Sequence, residues 1–232
     1  MKLTVFLIII NIIVFAYSLT NYDYYIKNYG FNSKNFLSGN YYVIITSMFL
    51  HANLGHLVGN MIALFFLGWT IERNVSIWKY LLVYFASGAF ANLSVMLPIF
   101  GYTASTIAIG ASAAISGLVG LGAFVCPGKF VIFPTALPLP FVVAGAIYLL
   151  VNLSSLFAPS EVAYSAHIFG MIGGAVFGLL FGEDRKKRLF VFILLLILIS
   201  RPGWRLRNQM ASCVQACGRC RIAFLILPSS WS

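Results

Sequence analysis

One feature recurs six times along this chain: a stretch of mostly apolar residues close to the length, about 20 residues, that carries an α-helix across a bilayer. The stretches are Leu3–Leu19, Leu54–Ile71, Ile77–Leu97, Ile109–Val125, Pro140–Leu156 and Ala163–Phe181. In hydrocarbon the backbone must satisfy its own hydrogen bonds, so segments of this kind fold as helices. The expected fold class is therefore all-α: a polytopic membrane protein with a six-transmembrane-helix bundle. A shorter apolar run, Leu189–Ile199, is a candidate short seventh helix. Only 9% of the 232 residues are charged and 61% are hydrophobic, against roughly 25% charged in soluble domains. A chain so poor in charge cannot dress a water-facing surface. Leu3–Leu19 also has marks of a secretory signal, with Lys2 ahead of it and Ala16-Tyr17-Ser18 as a small-x-small site. The six-helix count uses this segment, so it is expected to stay as a membrane anchor.

The formal net charge of +10 would suggest nucleic acid in a soluble protein. Here the basic residues lie between apolar segments, which points to membrane orientation and to no nucleic-acid partner. A cytoplasmic N-terminus puts Lys2, Arg73, Lys79, Lys129 and the run Arg185, Lys186, Lys187 and Arg188 inside. Only Lys27 and Lys34 then lie outside. That is the expected positive-inside bias, and it leaves the N-terminus and the end of helix six cytoplasmic. In the first outer loop, Tyr22, Tyr24, Tyr25, Tyr29, Tyr41 and Tyr42 suit a headgroup-level layer. Pro127, Pro134, Pro138 and Pro140 argue against a continuous helix between the fourth and fifth spans.

Residues 1–182 are expected to form the helical domain, and 183–232 a basic linker, the short apolar run and an Arg/Cys-containing tail. Cys213, Cys217 and Cys220 have part of a zinc-site spacing, but a structural zinc site wants four ligands and no fourth Cys or nearby His follows. Cys126 ends an apolar run and reads as a small buried residue. No disulfide framework is implied.

Polar and ionisable groups within spans are costly and are functional candidates by default. All three histidines qualify: His51 and His56 around the start of the second span, and His167 near the start of the sixth. His56 and Asn60, four apart, share one helical face, as do Ser112 and Ser116 at the start of the fourth span. The even-numbered spans run from outside to inside, so His56, Asn60, Ser112 and His167 fall at similar depth near the outer face. Helix N-termini there favour negative charge. Ala166, Gly170, Gly174, Gly178 and Gly182 form a small-residue stripe, and Ala113, Gly117 and Gly120 thin the fourth span, which allows close helix approach.

A serine hydroxyl becomes a nucleophile when a neighbouring base takes its proton, and imidazole suits that work near neutral pH. The oxyanion that forms needs donors in place. Asn60, His56 and the Ser112 N–H are the candidates. The acids of the chain are Asp23, Glu72, Glu161, Glu183 and Asp184, and only Glu161 is remotely near this depth, so a Ser112–His167 dyad without a third carboxylate is expected.

The segments H-A-N-L-G-H-L-V-G-N (His51 to Asn60), G-A-S-A (Gly110 to Ala113) and A-H-I-F-G-M-I-G-G (Ala166 to Gly174) resemble the rhomboid family of intramembrane serine proteases. T-S-M-F-L before His51 and G-W-T-I-E-R at the end of the second span add to the likeness. The resemblance covers roughly residues 1–182. It implies Ser112 as nucleophile, His167 as base, and His56 and Asn60 as side-chain oxyanion donors, with His51 supporting the outer loop. It also implies a water-filled cavity open to the outer face, single-pass transmembrane proteins as substrates, membrane lipid as surroundings, and no metal or organic cofactor.

Three positions depart from the family pattern. Ala113 stands where a glycine follows the nucleophile. Ser116 stands where an aromatic ring packs on the base, which leaves His167 either less tightly held or packed by another ring. Tyr42-Val43 stands where the first outer loop usually has Trp-Arg, so that loop must be secured differently. Ser116 is a rival nucleophile, disfavoured because Gly110 precedes Ser112. The alternatives to a protease are a catalytically weak or inactive rhomboid-like protein that binds transmembrane helices, and a transporter or channel. The latter would call for an internal repeat and mid-membrane acids.

Overall fold

A computed structural model describes residues 2–132, 137–157, 162–182, 184 and 186–198. Glu161, Glu183 and the tail with Cys213, Cys217 and Cys220 lie outside the described residues. The order of elements is α1 (Lys2–Ser18), α2 (Tyr22–Tyr29), α3 (Ser33–Leu37), α4 (Val43–Thr46), α5 (Leu54–Glu72), α6 (Ile77–Ser94), α7 (Ser112–Val125), β1 (Phe130–Val131), β2 (Leu139–Pro140), α8 (Phe141–Ser154) and α9 (Tyr164–Phe181). The six expected spans thus become α1, α5, α6, α7, α8 and α9, and the architecture is an all-α bundle. Among the described residues, three helical runs are long and apolar enough by themselves to cross a bilayer: Lys2–Tyr29, Leu54–Glu72 and Tyr164–Phe181.

The boundaries follow from local chemistry. Asn53 caps α5 by accepting the His56 N–H at 2.8 Å, and its place one residue before the apolar run is the expected N-cap signal. The fourth span was expected from Ile109, but α7 begins at Ser112. Gly110 has φ +117°, a conformation barred to a helix and strained for any side chain. The third span was expected to reach Leu97; α6 stops at Ser94, and Pro98 opens the next turn. The proline-rich connection forms a two-stranded antiparallel ribbon, with Phe130 opposite Pro140 and Val131 opposite Leu139.

α7 is the hub. Every residue from Ala113 to Phe124 is buried, and the helix packs most extensively on α9. Its 14 residues span only about 21 Å at 1.5 Å per residue, against a hydrocarbon core of about 30 Å. The helix alone is therefore shorter than that core, and the irregular backbone ahead of it, from Thr106 to Gly110, lines a cavity, a setting in which non-helical backbone is tolerated in membrane proteins.

The loop between α1 and α5, expected to need a substitute for Trp-Arg, is secured by backbone and amide contacts. Phe31 and Ala108 exchange backbone hydrogen bonds at 3.1 and 2.8 Å. The Asn92 amide, from α6, donates to the Ile44 carbonyl and the Ser47 hydroxyl at 2.9 and 3.0 Å. The Ser47 carbonyl accepts the Gly110 N–H at 2.9 Å. Tyr25, Tyr29 and Tyr42 extend the ring contacts across this loop, with centroids 5.9 and 5.8 Å apart.

At the opposite end of the bundle, Glu72 at the close of α5 accepts the N–H groups of Leu3 and Thr4 at 3.1 and 3.0 Å and the Thr4 hydroxyl at 2.7 Å. A carboxylate there satisfies the orphan donors of the first turn of α1. The candidate short seventh helix is present as a helical stretch over residues 186–198. Phe192 buries its ring against Phe124, with centroids 5.2 Å apart. Arg188 donates to the Phe124 and Val125 carbonyls, the placement a helix C-terminus favours for a cation.

Candidate active site

The starts of α5, α7 and α9 come together around a cavity of about 1170 Å³, lined among others by His56, Asn60, Gly110, Ser112 and His167. The approach that allows this is made by glycine. A Cβ at Gly174 would fall on the Gly117 carbonyl, one at Gly170 on the Ala113 carbonyl and one at Gly120 on the Met171 carbonyl. α7 and α9 therefore meet backbone to backbone, as small-residue seams permit in membranes. Across that seam the Ser112 Oγ lies 2.9 Å from His167 Nε2, a hydrogen-bond distance.

The oxyanion candidates lie beside them. A Cβ at Gly110 would lie 2.8 Å from His56 Nε2 and 3.5 Å from Asn60 Nδ2, so both side chains crowd the backbone just ahead of Ser112. The Ala52 N–H donates to His56 Nδ1 at 3.3 Å. A ring nitrogen that accepts carries no proton, so in the neutral ring Nε2 carries it and can donate into the cavity. Asn60 Nδ2 is buried and has no hydrogen-bond partner among the described residues. The Ser112 N–H belongs to the first turn of α7, whose donors have no intrahelical acceptor. Three donors thus border the place where negative charge would develop on a carbonyl attacked by Ser112.

His51 is fully buried in the turn before α5 and presents an edge to the His56 ring, with centroids 5.1 Å apart. Burial first, and the neighbouring His56 second, hold its imidazole down to about 4, so it is neutral near pH 7 and packs as a ring. Its ring thereby packs the loop ahead of α5 against the start of that helix.

Ser116, the rival nucleophile, is fully buried and already engaged. Its hydroxyl bonds the Ser112 carbonyl at 2.7 Å and the Tyr148 hydroxyl at 2.6 Å. The ring that lies most nearly parallel to His167 comes instead from α8: Tyr148 lies at a centroid distance of 6.2 Å and an angle of 32°, while Tyr164 of α9 meets the imidazole edge-on at 6.3 Å. A serine at 116 thus anchors a tyrosine brought in from another helix. The second α8 residue at the site, Asn152, was not singled out from sequence. It is buried, and its Oδ1 lies 2.9 Å from His167 Nδ1. The available signal was an amide one turn after Tyr148 in an otherwise apolar span.

Comparison with known proteins agrees with this architecture. The rhomboid domain family matches residues 38–184. RHOMBOID-like protein 12, mitochondrial, from Arabidopsis thaliana is 28% identical over 199 residues, covering 78% of this chain and 58% of that protein. Rhomboid protease GluP of Bacillus subtilis (strain 168) is 30% identical over 164 residues, covering 69% and 31%. Rhomboid-like protease 1 of Toxoplasma gondii is 34% identical over 83 residues, covering 36% and 27%. The chain therefore spans 58% of the length of the first of these relatives and 31% of the second. The matched segment takes in more than half of the sequence and every side chain that lines the serine–histidine contact, and the chain belongs to the rhomboid family of integral membrane proteins.

Proposed function

We propose that the chain is an intramembrane serine endopeptidase that cleaves transmembrane segments of membrane proteins with a Ser112–His167 dyad. The observation that supports this most directly is the 2.9 Å contact between Ser112 Oγ and His167 Nε2 at the wall of the cavity. His167 Nε2 takes the Ser112 proton as Oγ attacks the scissile carbonyl, then delivers it to the leaving amine. Asn60 Nδ2, His56 Nε2–H and the Ser112 N–H stabilise the oxyanion, each pre-set before charge develops. Water entering the cavity hydrolyses the acyl-enzyme with the same base.

The acting unit is residues 1–182, and its substrates are single-pass transmembrane proteins whose helices unwind to reach Ser112. The charge distribution along the sequence supports a cytoplasmic N-terminus and a cavity facing the outer side. Cysteines introduced at Lys34 and at Lys129, in a cysteine-free background, would report this: only position 34 should react with an impermeant thiol reagent added outside.

The test of activity is labelling by a serine-directed fluorophosphonate together with cleavage of a reporter transmembrane substrate. Both should be present in the wild type and absent in Ser112→Ala and His167→Ala. Helix binding with no Ser112-dependent labelling or cleavage would favour the non-cleaving binder instead.

A further inference from the structure

α8 supplies neither the nucleophile nor the base, yet two of its side chains close around His167. Tyr148 lies against one side of the ring, and Asn152 meets its far nitrogen at 2.9 Å. The orientation of the Asn152 amide is fixed by chemistry. Its Nδ2 donates to the Tyr148 carbonyl at 2.8 Å. A carbonyl oxygen only accepts, so the amide nitrogen must face it, and Oδ1 must face His167. Oδ1 is itself an acceptor, so the proton of the neutral imidazole sits on Nδ1. Nε2 then presents a lone pair to the Ser112 hydroxyl, the one tautomer in which it can act as a base.

We propose that Asn152 is a positioning residue for the reaction, selecting the His167 tautomer and ring orientation in which the Ser112–His167 dyad can act. This deepens the protease reading and rests on it. Unlike a carboxylate, the amide cannot neutralise the imidazolium formed during attack. Its work is orientation, and the imidazolium is left with a dipole rather than a charge. The cost of a carboxylate in a membrane span is avoided.

The test compares Asn152→Leu, Asn152→Ala and Asn152→Asp in the full-length protein in detergent, against wild type and Ser112→Ala. Kinetics with the reporter substrate are combined with ¹⁵N-histidine spectra, which read the tautomer directly. We expect Asn152→Leu to lower kcat about 10²–10⁴-fold, as loss of the correct tautomer does in serine proteases. KM should stay within about twofold, since the amide does not touch substrate and only transition-state stabilisation is lost. Asn152→Asp keeps an acceptor at the same place and should recover at least about tenfold of that loss, a tenfold change being about 1.4 kcal/mol. The His167 Nδ1–H signal should persist in Asn152→Asp and weaken in Asn152→Leu.

A kcat for Asn152→Leu within about twofold of wild type would overturn the proposal, as would loss through KM alone. If the leucine variant does not fold, Asn152→Ala carries the same comparison. If wild type shows no Ser112-dependent cleavage or labelling, the protease reading fails separately. The spectra then decide for Asn152: an unchanged tautomer in its variants overturns the positioning role, and a lost Nδ1–H supports it.

Discussion

The two sides of the serine–histidine contact are built differently. On one side α7 and α9 meet through Gly117, Gly120, Gly170 and Gly174, backbone against backbone, and a Cβ at Gly120, Gly170 or Gly174 would fall on the backbone of the facing helix. On the other, α8 reaches His167 through the side chains of Tyr148 and Asn152. Its own glycine, Gly145, is less tightly packed: a Cβ there would meet Ala123 Cβ at 3.1 Å and Met171 Cε at 3.6 Å. The seam sets how far the two helices stand apart, and hence whether Oγ and Nε2 can meet. α8 sets how the ring between them is turned. Distance is held by backbones in contact, and orientation by polar contacts that can be exchanged one at a time.

Substitutions can break that contrast, the largest effect first. Ser112→Ala should reduce reporter cleavage by about 10⁴-fold or more and leave the thermal unfolding midpoint in detergent unchanged, because the seam does not use the hydroxyl. Retained cleavage would move the nucleophile elsewhere. Asn60→Ala, on α5, should lower kcat by about 10²–10³-fold, the loss measured for one oxyanion donor in another serine protease; an unchanged rate would remove Asn60 from that role. Gly174→Ala and Gly145→Ala address the contrast itself. The first should cost about 1–3 kcal/mol or more through overpacking and lose cleavage in parallel. The second should stay within about 1 kcal/mol of wild type, the gain in helix propensity offsetting the tight contact with Ala123. Equal melting shifts for the two would erase the distinction between seam and α8. Ser116→Ala strips the Tyr148 hydroxyl of a partner. It should cost about 1–2 kcal/mol of stability and slow cleavage less than about tenfold. Loss of cleavage as complete as in Ser112→Ala would make Ser116 the nucleophile.

Much of this was legible in the residues. Six apolar stretches predicted six helices, and all six formed, because segment length and backbone satisfaction in lipid leave little choice. Boundaries slipped where a single residue overrode hydropathy. Ile109 is apolar enough for a span, but Gly110 in a left-handed conformation cannot enter a helix. Ser112, His167, His56 and Asn60 stood out as polar groups near span starts, and the fold brings all four to one cavity. Asn152 did not stand out. Its place in the fifth span is ordinary for an amide, and its meaning comes from a histidine 15 positions later on another helix. The replacement of the ring expected at 116 was equally hidden, since nothing local links Ser116 to Tyr148.

By itself the sequence determined the six long apolar helices, the apolar character of their surroundings and the polar residues held among them. Each of these depends on a segment and its solvent, and can be read one stretch at a time. Only the tertiary structure decided which nitrogen of His167 faces Ser112, which ring lies beside it, and that α8 rather than α7 supplies that ring. Those are relations between helices distant along the chain. They are fixed where glycine lets two backbones touch and where a carbonyl, able only to accept, turns an amide and through it an imidazole.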